Sequence, residues 1–207
     1  MELKKSKTYE NLKKAFIAEC AARTRYEFVE YGQRMAGYEG LATITDKIAY
    51  QEFNHARMLY THIEDADKQT IVNEQIKVDL PFRQKWDLVE NLKLTAEDEE
   101  EEAKFYQKAF KIATEEGFPE IAGLFDMIRK VELKHKKIFT YLYEKMKDKK
   151  LFNSDKEKEW CCPSCGHTVK ASTAIDLNGL TGNLFHFIDN VGCGGDQVEV
   201  KLSFQTL

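Results

Sequence analysis

The 207-residue chain has no run of about 18 apolar residues, so no membrane-spanning helix is expected. It has no basic excess. Lys and Arg number 31 against 35 Asp and Glu, a net charge of −4, which argues against a nucleic-acid-binding face. No G-x-G-x-x-G occurs, so a pyridine nucleotide would act only through a separate reductase. The opening MELKKSKTYE lacks the apolar core of a secretory signal, and a cytoplasmic protein is expected. Proline is scarce: Pro81 and Pro119 are the only ones before the last quarter of the chain. Cysteine is nearly absent from the first 160 residues, where Cys20 stands alone beside Glu19 and reads as a buried structural thiol. The other four, Cys161, Cys162, Cys165 and Cys193, crowd the C-terminal end. An odd count clustered in this way, with no export signal, points to metal ligation rather than disulfides.

What is present from about 8 to 147 is a helical composition rich in Ala, Leu, Glu, Lys and aromatics. Helices are expected near 8–36, 39–65, 83–116 and 119–147, with Gly37 and Gly117 ending the first and third. The long connection between the second and third suits a crossover between two helix hairpins. Residues 148–159 are charged and read as a linker. From Trp160 the character changes, Gly becomes frequent, and V-E-V-K-L-S-F at 198–204 alternates as a strand does. The expected organisation is a helical bundle over 1–147, a linker over 148–159 and a small β-rich module over 160–207. At under 50 residues that module has little core and needs a metal or a partner.

The bundle contains an internal repeat with a constant shift of 80 residues. Asn11-Leu12-Lys13 returns as Asn91-Leu92-Lys93, Glu19 as Glu99, Tyr26 as Tyr106, Gly37 as Gly117 and Ile48 as Ile128. Glu52 and His55 return as Glu132 and His135 in the same ungapped register.

Residues three and four apart share a helix face. Leu12, Phe16, Glu19, Ala22 and Tyr26 form one such stripe, and Ile44, Ile48, Glu52, His55 and Leu59 a second. Leu92, Ala96, Glu99, Ala103, Tyr106, Phe110 and Ala113 form a third, and Leu124, Ile128, Glu132, His135 and Phe139 a fourth. A single E-x-x-H is ordinarily a solvated helix face. Four seams that each aim a carboxylate inward at mid-length are not, because uncompensated buried carboxylates cost several kcal/mol each. Protons or cations must relieve them. One Glu from each of two helices, with Glu-x-x-His from each of the others, is the arrangement that holds two divalent metals in a bundle core. Within the acidic run at 97–102, both stripe and repeat select Glu99, and Glu102 points nearly the same way as an additional ligand.

The segments N-L-K-x-A-F-x-x-E at 11–19, A-R-x-R-Y at 22–26, E-x-x-H at 52–55, E-x-x-E at 99–102, E-E-G-F at 115–118, E-I-A-x-L-F at 120–125 and E-x-x-H at 132–135 together resemble the rubrerythrin family. The resemblance implies a ferritin-like four-helix bundle. It implies Glu19, Glu52, Glu99, Glu102, Glu132 and His135 as iron ligands, with Glu52 and Glu132 bridging, and His55 as a ligand that exchanges with a carboxylate. Tyr26 and Tyr106 would donate hydrogen bonds to the ligands. One departure is F-Y-Q at 105–107, where the family often has M-Y-P and one more residue before its Tyr. Counted from that side, Asp98 and Glu101 would be chosen; counted from Asn91 and judged by the seam, Glu99 and Glu102 are.

The family's tail is a rubredoxin-like module with two cysteine knuckles around one iron. Cys162-Pro-Ser-Cys165-Gly matches the first knuckle, and Cys193-Gly194 half of the second, with Asn190 in place of its other cysteine. Cys161, His167, His186, Asp189 and Asp196 are candidates for a fourth ligand, to Fe or Zn. The implied activity is that of a non-haem di-iron peroxidase that reduces hydrogen peroxide, with a rubredoxin-like or other electron donor, as a homodimer. Ferritin-like iron binding and ferroxidation, and a metal-binding bundle without turnover, are the alternatives.

Overall fold

The structure, a computed structural model, describes residues 2–66, 76–80, 83, 87–161, 168–173 and 188–189. Four long helices dominate it: α1 (Lys7–Met35), α2 (Glu39–Ala66), α3 (Leu88–Glu115) and α4 (Pro119–Lys147). Local chemistry sets their ends. Ser6 caps α1 by accepting from the Tyr9 amide at 3.0 Å, and Pro119 occupies the first turn of α4, where no amide hydrogen is needed. α3 starts at Leu88 rather than 83, because Asp87 caps it by accepting from the Glu90 amide at 2.7 Å.

The repeat extends to the turns. Gly37 and Gly117 have φ of 82° and 83°, the left-handed conformation that only glycine enters without steric cost. After α1, Tyr38 N–H donates to Gln33 O and Gly37 N–H to Arg34 O. After α3, Phe118 donates to Ala113 O and Gly117 to Thr114 O, the same double closure.

α1 packs along α2 and α3 along α4, and the two hairpins meet through α1 with α3 and α2 with α4. The start of α1 lies at the end of α3, since Thr8 N–H and Oγ both donate to Glu116 Oε2, at 2.8 and 2.6 Å. α2 therefore ends at the opposite end of the bundle from the start of α3. Ala66 and Leu88 thus stand at opposite ends of the bundle, as a long crossover connection requires.

The apolar interior divides into two clusters. One holds Leu12, Leu59, Tyr106, Phe125 and Ile128; the other holds Tyr26, Ile48, Leu92, Phe139 and Leu142. The acidic mid-sections of the helices lie between them.

Beyond the bundle, the segment 148–159 is not wholly a linker. β1 (Asn153–Cys161) begins inside it and pairs antiparallel with β2 (Thr168–Thr173) on one side and β3 (Ile188–Asp189) on the other. Trp160 is buried there, its indole N–H donating to Ala171 O at 2.8 Å. Cys162, Cys165 and Cys193, the side chains proposed beside them as fourth ligands, and the expected strand at 198–204 lie outside what the structure describes.

Candidate metal centre

Each of the four seams delivers its carboxylate to one place. Glu19 from α1, Glu52 and His55 from α2, Glu99 from α3 and Glu132 and His135 from α4 are all buried, none more than 2% exposed. Flanking apolar residues on the same stripes are buried with them, among them Leu12, Ile48, Ala96 and Ile128, so the packing of each seam fixes where its acid points.

The six side chains form two overlapping groups. Glu19, Glu52, His55 and Glu132 bring one ligand atom each within 4.8 Å of one another, and so do Glu52, Glu99, Glu132 and His135. The two groups exchange under the 80-residue shift, and both contain Glu52 and Glu132. Nδ1 of His55 lies 3.0 Å from Glu52 Oε2, 3.1 Å from Glu132 Oε1 and 3.3 Å from Glu19 Oε2. Nδ1 of His135 lies 2.9 Å from Glu132 Oε2, 3.0 Å from Glu52 Oε1 and 3.6 Å from Glu99 Oε1.

One ring nitrogen can donate to only one of three such oxygens. Glu19 Oε2, Glu52 Oε1 and Glu132 Oε1 are accordingly buried without a hydrogen bond, and Glu99 Oε2 is buried without one as well. Orphaned lone pairs on four carboxylates around two imidazoles, all converging from separate helices, are the donor set that two divalent cations satisfy. One oxygen of each of two carboxylates is held across the repeat: Tyr26 donates to Glu99 Oε1 at 2.7 Å, and Tyr106 to Glu19 Oε1.

The electrostatics follow from this crowding. Burial, with Glu132 nearby, holds the Glu19 carboxyl well above the usual range, and burial pushes Glu99 up to about 8 against the pull of His135. Burial alone would depress both histidines, but the carboxylates outweigh it: His55 is raised by Glu132 and Glu19, His135 by Glu52 and Glu99. Glu52 goes the other way, its burial overcome by both imidazoles. Both tyrosines are raised by burial and by the carboxylates that they serve.

The acidic run at 97–102 is sorted by its surroundings. Glu99 enters the cluster. Asp98 is buried against the Arg83 guanidinium, and Glu101 is exposed and pairs with Lys104 at 2.9 Å. Glu102, expected as an additional ligand, stands outside both groups, with Oε1 3.4 Å from Arg25 Nη2 and Oε2 buried without a hydrogen bond. Its carboxyl is raised by burial and by Glu99 and Glu19. Cys20 is exposed rather than buried, because the position after an inward Glu19 turns about 100° away around the helix. Two contacts were not read from the sequence: that of Arg25 with Glu102, and that of Gln51, whose Oε1 lies 2.7 Å from Nε2 of His135. Both contacts join different helices, so spacing along one helix could not reveal them. A cavity of about 620 Å³ adjoins the cluster, and Glu19, Tyr106, Glu102, Arg25, Lys77 and Arg83 are among the residues that line it.

The family model for rubrerythrin matches residues 10–143 and, in a second overlapping match, 90–161. A rubrerythrin of Clostridium perfringens is 37% identical over 175 residues, covering 83% of this chain and 88% of its own length. One from Porphyromonas gingivalis is 33% identical over 176 residues, covering 84% and 85%. Among solved structures, fully reduced, all-ferrous nigerythrin superposes with a TM-score of 0.60 at 25% identity, over 79% of this chain and 77% of that one. The bacterioferritin of Desulfovibrio desulfuricans, described with a diiron site, has a TM-score of 0.60 at 24% identity, over 70% and 82%, a likeness of fold. With its bundle, its paired buried carboxylate–imidazole groups and these relatives, the chain belongs to the rubrerythrin family.

Proposed function

We propose that the protein is a non-haem di-iron peroxidase that reduces hydrogen peroxide to water. The observation that carries this reading is the pair of overlapping ligand groups sharing Glu52 and Glu132. Glu19, Glu52, His55 and Glu132 would hold one iron, and Glu52, Glu99, Glu132 and His135 the other. Two ferrous ions bound there would supply the two electrons that conversion of one peroxide and two protons to two waters requires.

The remaining work falls to the chain itself. Tyr26 and Tyr106 each hold one oxygen, Oε1 of Glu99 and Oε1 of Glu19, and so restrain both carboxylates beside the cluster. The apolar layers above and below exclude bulk water, which strengthens each charge interaction inside. Glu102, raised by burial and set on the cavity wall, is placed to hold a proton beside an entering peroxide, or to join the ligands on leaving Arg25. Electrons would return from a rubredoxin-like or other donor, with Cys162, Cys165 and Cys193 as the candidates within this chain for an additional Fe or Zn, and a homodimer as the expected assembly.

The test is anaerobic loading with Fe(II) followed by peroxide in a stopped-flow spectrometer. Two irons oxidised per peroxide, lost in Glu132→Ala, are expected; a filled site that does not react rejects the reading. The bacterioferritin likeness keeps ferroxidation as the second reading. It predicts that dioxygen outcompetes peroxide as oxidant and that iron accumulates beyond two ions per chain.

A further inference from the structure

The 80-residue shift that preserves the cluster fails on the outer faces of the two hairpins. Phe28, Tyr31 and Tyr50 are 57–66% exposed on α1 and α2. Their repeat positions on α3 and α4 are Lys108, Lys111 and Lys130, all exposed as well. The two hairpins therefore share their inward residues and differ in outward chemistry, aromatic on one and cationic on the other.

The cationic character runs along both helices of the second hairpin. Over 100–111 of α3 and 126–137 of α4, the acids that do not turn inward are Glu100, Glu101 and Asp126. All three are engaged: Glu101 by Lys104 at 2.9 Å, Glu100 by Lys136 at 2.9 Å, and Asp126 by Arg129 at 2.7 Å and Lys130 at 2.6 Å. Lys108, Lys111, Lys134 and Lys137 are exposed and have no acidic partner among the described residues. The bridge from Lys136 to Glu100 joins α4 to α3 within these spans, so the two sets of lysine lie on adjoining helices. The matching spans of α1 and α2 are neutral, with Arg23, Lys47 and Arg57 outside the core against Glu27, Glu30 and Asp46.

We propose that the α3–α4 face docks a small electron-transfer protein of acidic surface, the partner that returns electrons to the metal centre. This rests on the peroxidase reading above, which requires such a donor. α4 turns Glu132 and His135 inward and exposes Leu133, Lys134 and Lys137. A protein seated on it is separated from the cluster by one helix, about 10 Å across. The chain as a whole carries a net charge of −4 and repels an acidic protein. Lysines without acidic partners invert that field locally and steer such a protein to this face, whereas the aromatic face has no charge to steer by. Each docked donor gives up one electron and leaves oxidised, so two encounters return the two electrons that one peroxide removes.

The test is a calorimetric titration of the full-length chain with an oxidised rubredoxin of negative net charge, at about 20 and about 200 mM NaCl. Binding is expected at low salt and should weaken about tenfold at high salt. The triple variant Lys108→Gln, Lys111→Gln, Lys130→Gln is expected to weaken low-salt binding about tenfold and flatten the salt dependence. Phe28→Glu, Tyr31→Glu, Tyr50→Glu together change the net charge by the same amount at the repeat positions of the other hairpin, and should weaken binding less than about threefold. No binding at low salt, binding indifferent to salt, or equal losses in the two triple variants overturns the inference. A short DNA duplex bound as tightly as the rubredoxin overturns it in favour of a general polyanion site. Peroxide oxidation of the Fe(II)-loaded chain, measured without donor, should be the same in the lysine variant and the wild type. A loaded chain inert to peroxide that still docks rubredoxin on the lysines removes the peroxidase reading and leaves the docking face standing.

Discussion

Glu19 and Glu99 are carboxyls that hold their protons where exposed ones would not, and His55 and His135 hold theirs for the opposite reason, the excess of carboxylate around them. The metal-free native state therefore binds more protons than the unfolded chain from the ordinary Glu value of 4.5 up to about 8 for Glu99. Stability must fall as pH rises through that window. The raised histidines act in the same sense, stabilising below 6.5 and losing that contribution as pH climbs. Glu52, depressed, contributes above 4.5 and loses its share in acid. Thermal unfolding of metal-free protein should thus occur at lower temperature at pH 8.5 than at pH 6, by roughly 5 °C, the equivalent of about 2 kcal/mol in a chain of this size. The Fe(II)-loaded protein should show little of this slope, because cations replace the protons. Glu19→Gln removes one carboxylate from the repulsion without changing its shape. It should raise the metal-free melting temperature at pH 8.5 while weakening metal uptake, and a calorimetric scan with and without Co(II) separates the two effects.

At the level of elements, Glu116 ties the two hairpins together at one end of the bundle. Its carboxylate accepts from Lys7 N–H at 3.1 Å and from both Thr8 donors, satisfying amides of the first α1 turn that no helical carbonyl reaches. Burial tends to raise it, but the bonds from Thr8 and Lys7 hold it below the ordinary value. Glu116→Ala should cost about 1–2 kcal/mol, measured by urea unfolding. A second prediction concerns Gly117. A Cβ there would meet nothing within 4 Å, so the cost of Gly117→Ala is the left-handed φ alone, about 1–2 kcal/mol. Both turns were legible in the chain, since Gly37 and Gly117 fall at the same place in each repeat. The start of α3 and the strand within 148–159 were not. A helical pattern says little about where its first turn is capped, and an alternating charged segment acquires strand character only from the neighbours that pair with it.

For the whole molecule, the cluster is the place where four helices from two repeats must agree. Ions bound there join α1 and α2 to α3 and α4, so they bind the folded bundle and not the separated chain. Filling the site at about 100 times its dissociation constant should stabilise the fold by about 2.7 kcal/mol, a rise of roughly 5–10 °C in melting temperature. Chelation should reverse this, and an unchanged melting temperature on loading would contradict a site assembled from both hairpins. The cavity lined by Glu19, Glu102 and Tyr106 borders the cluster.

By itself the sequence determined the four helices, the two-fold repeat and which side chain on each helix faces inward. These depend on spacing along one chain segment, and a period of 3.6 residues converts spacing directly into direction. It equally selected Glu99 over its acidic neighbours, since only that position continues an apolar seam. The tertiary structure alone decided which inward groups meet: that Glu52 and Glu132 belong to both ligand groups, that Glu102 rests on Arg25, and that Gln51 reaches one histidine and no residue reaches the equivalent nitrogen of the other among those described. Each of these is a contact between different helices. Such contacts depend on the height and rotation at which the helices pack, which local periodicity does not encode.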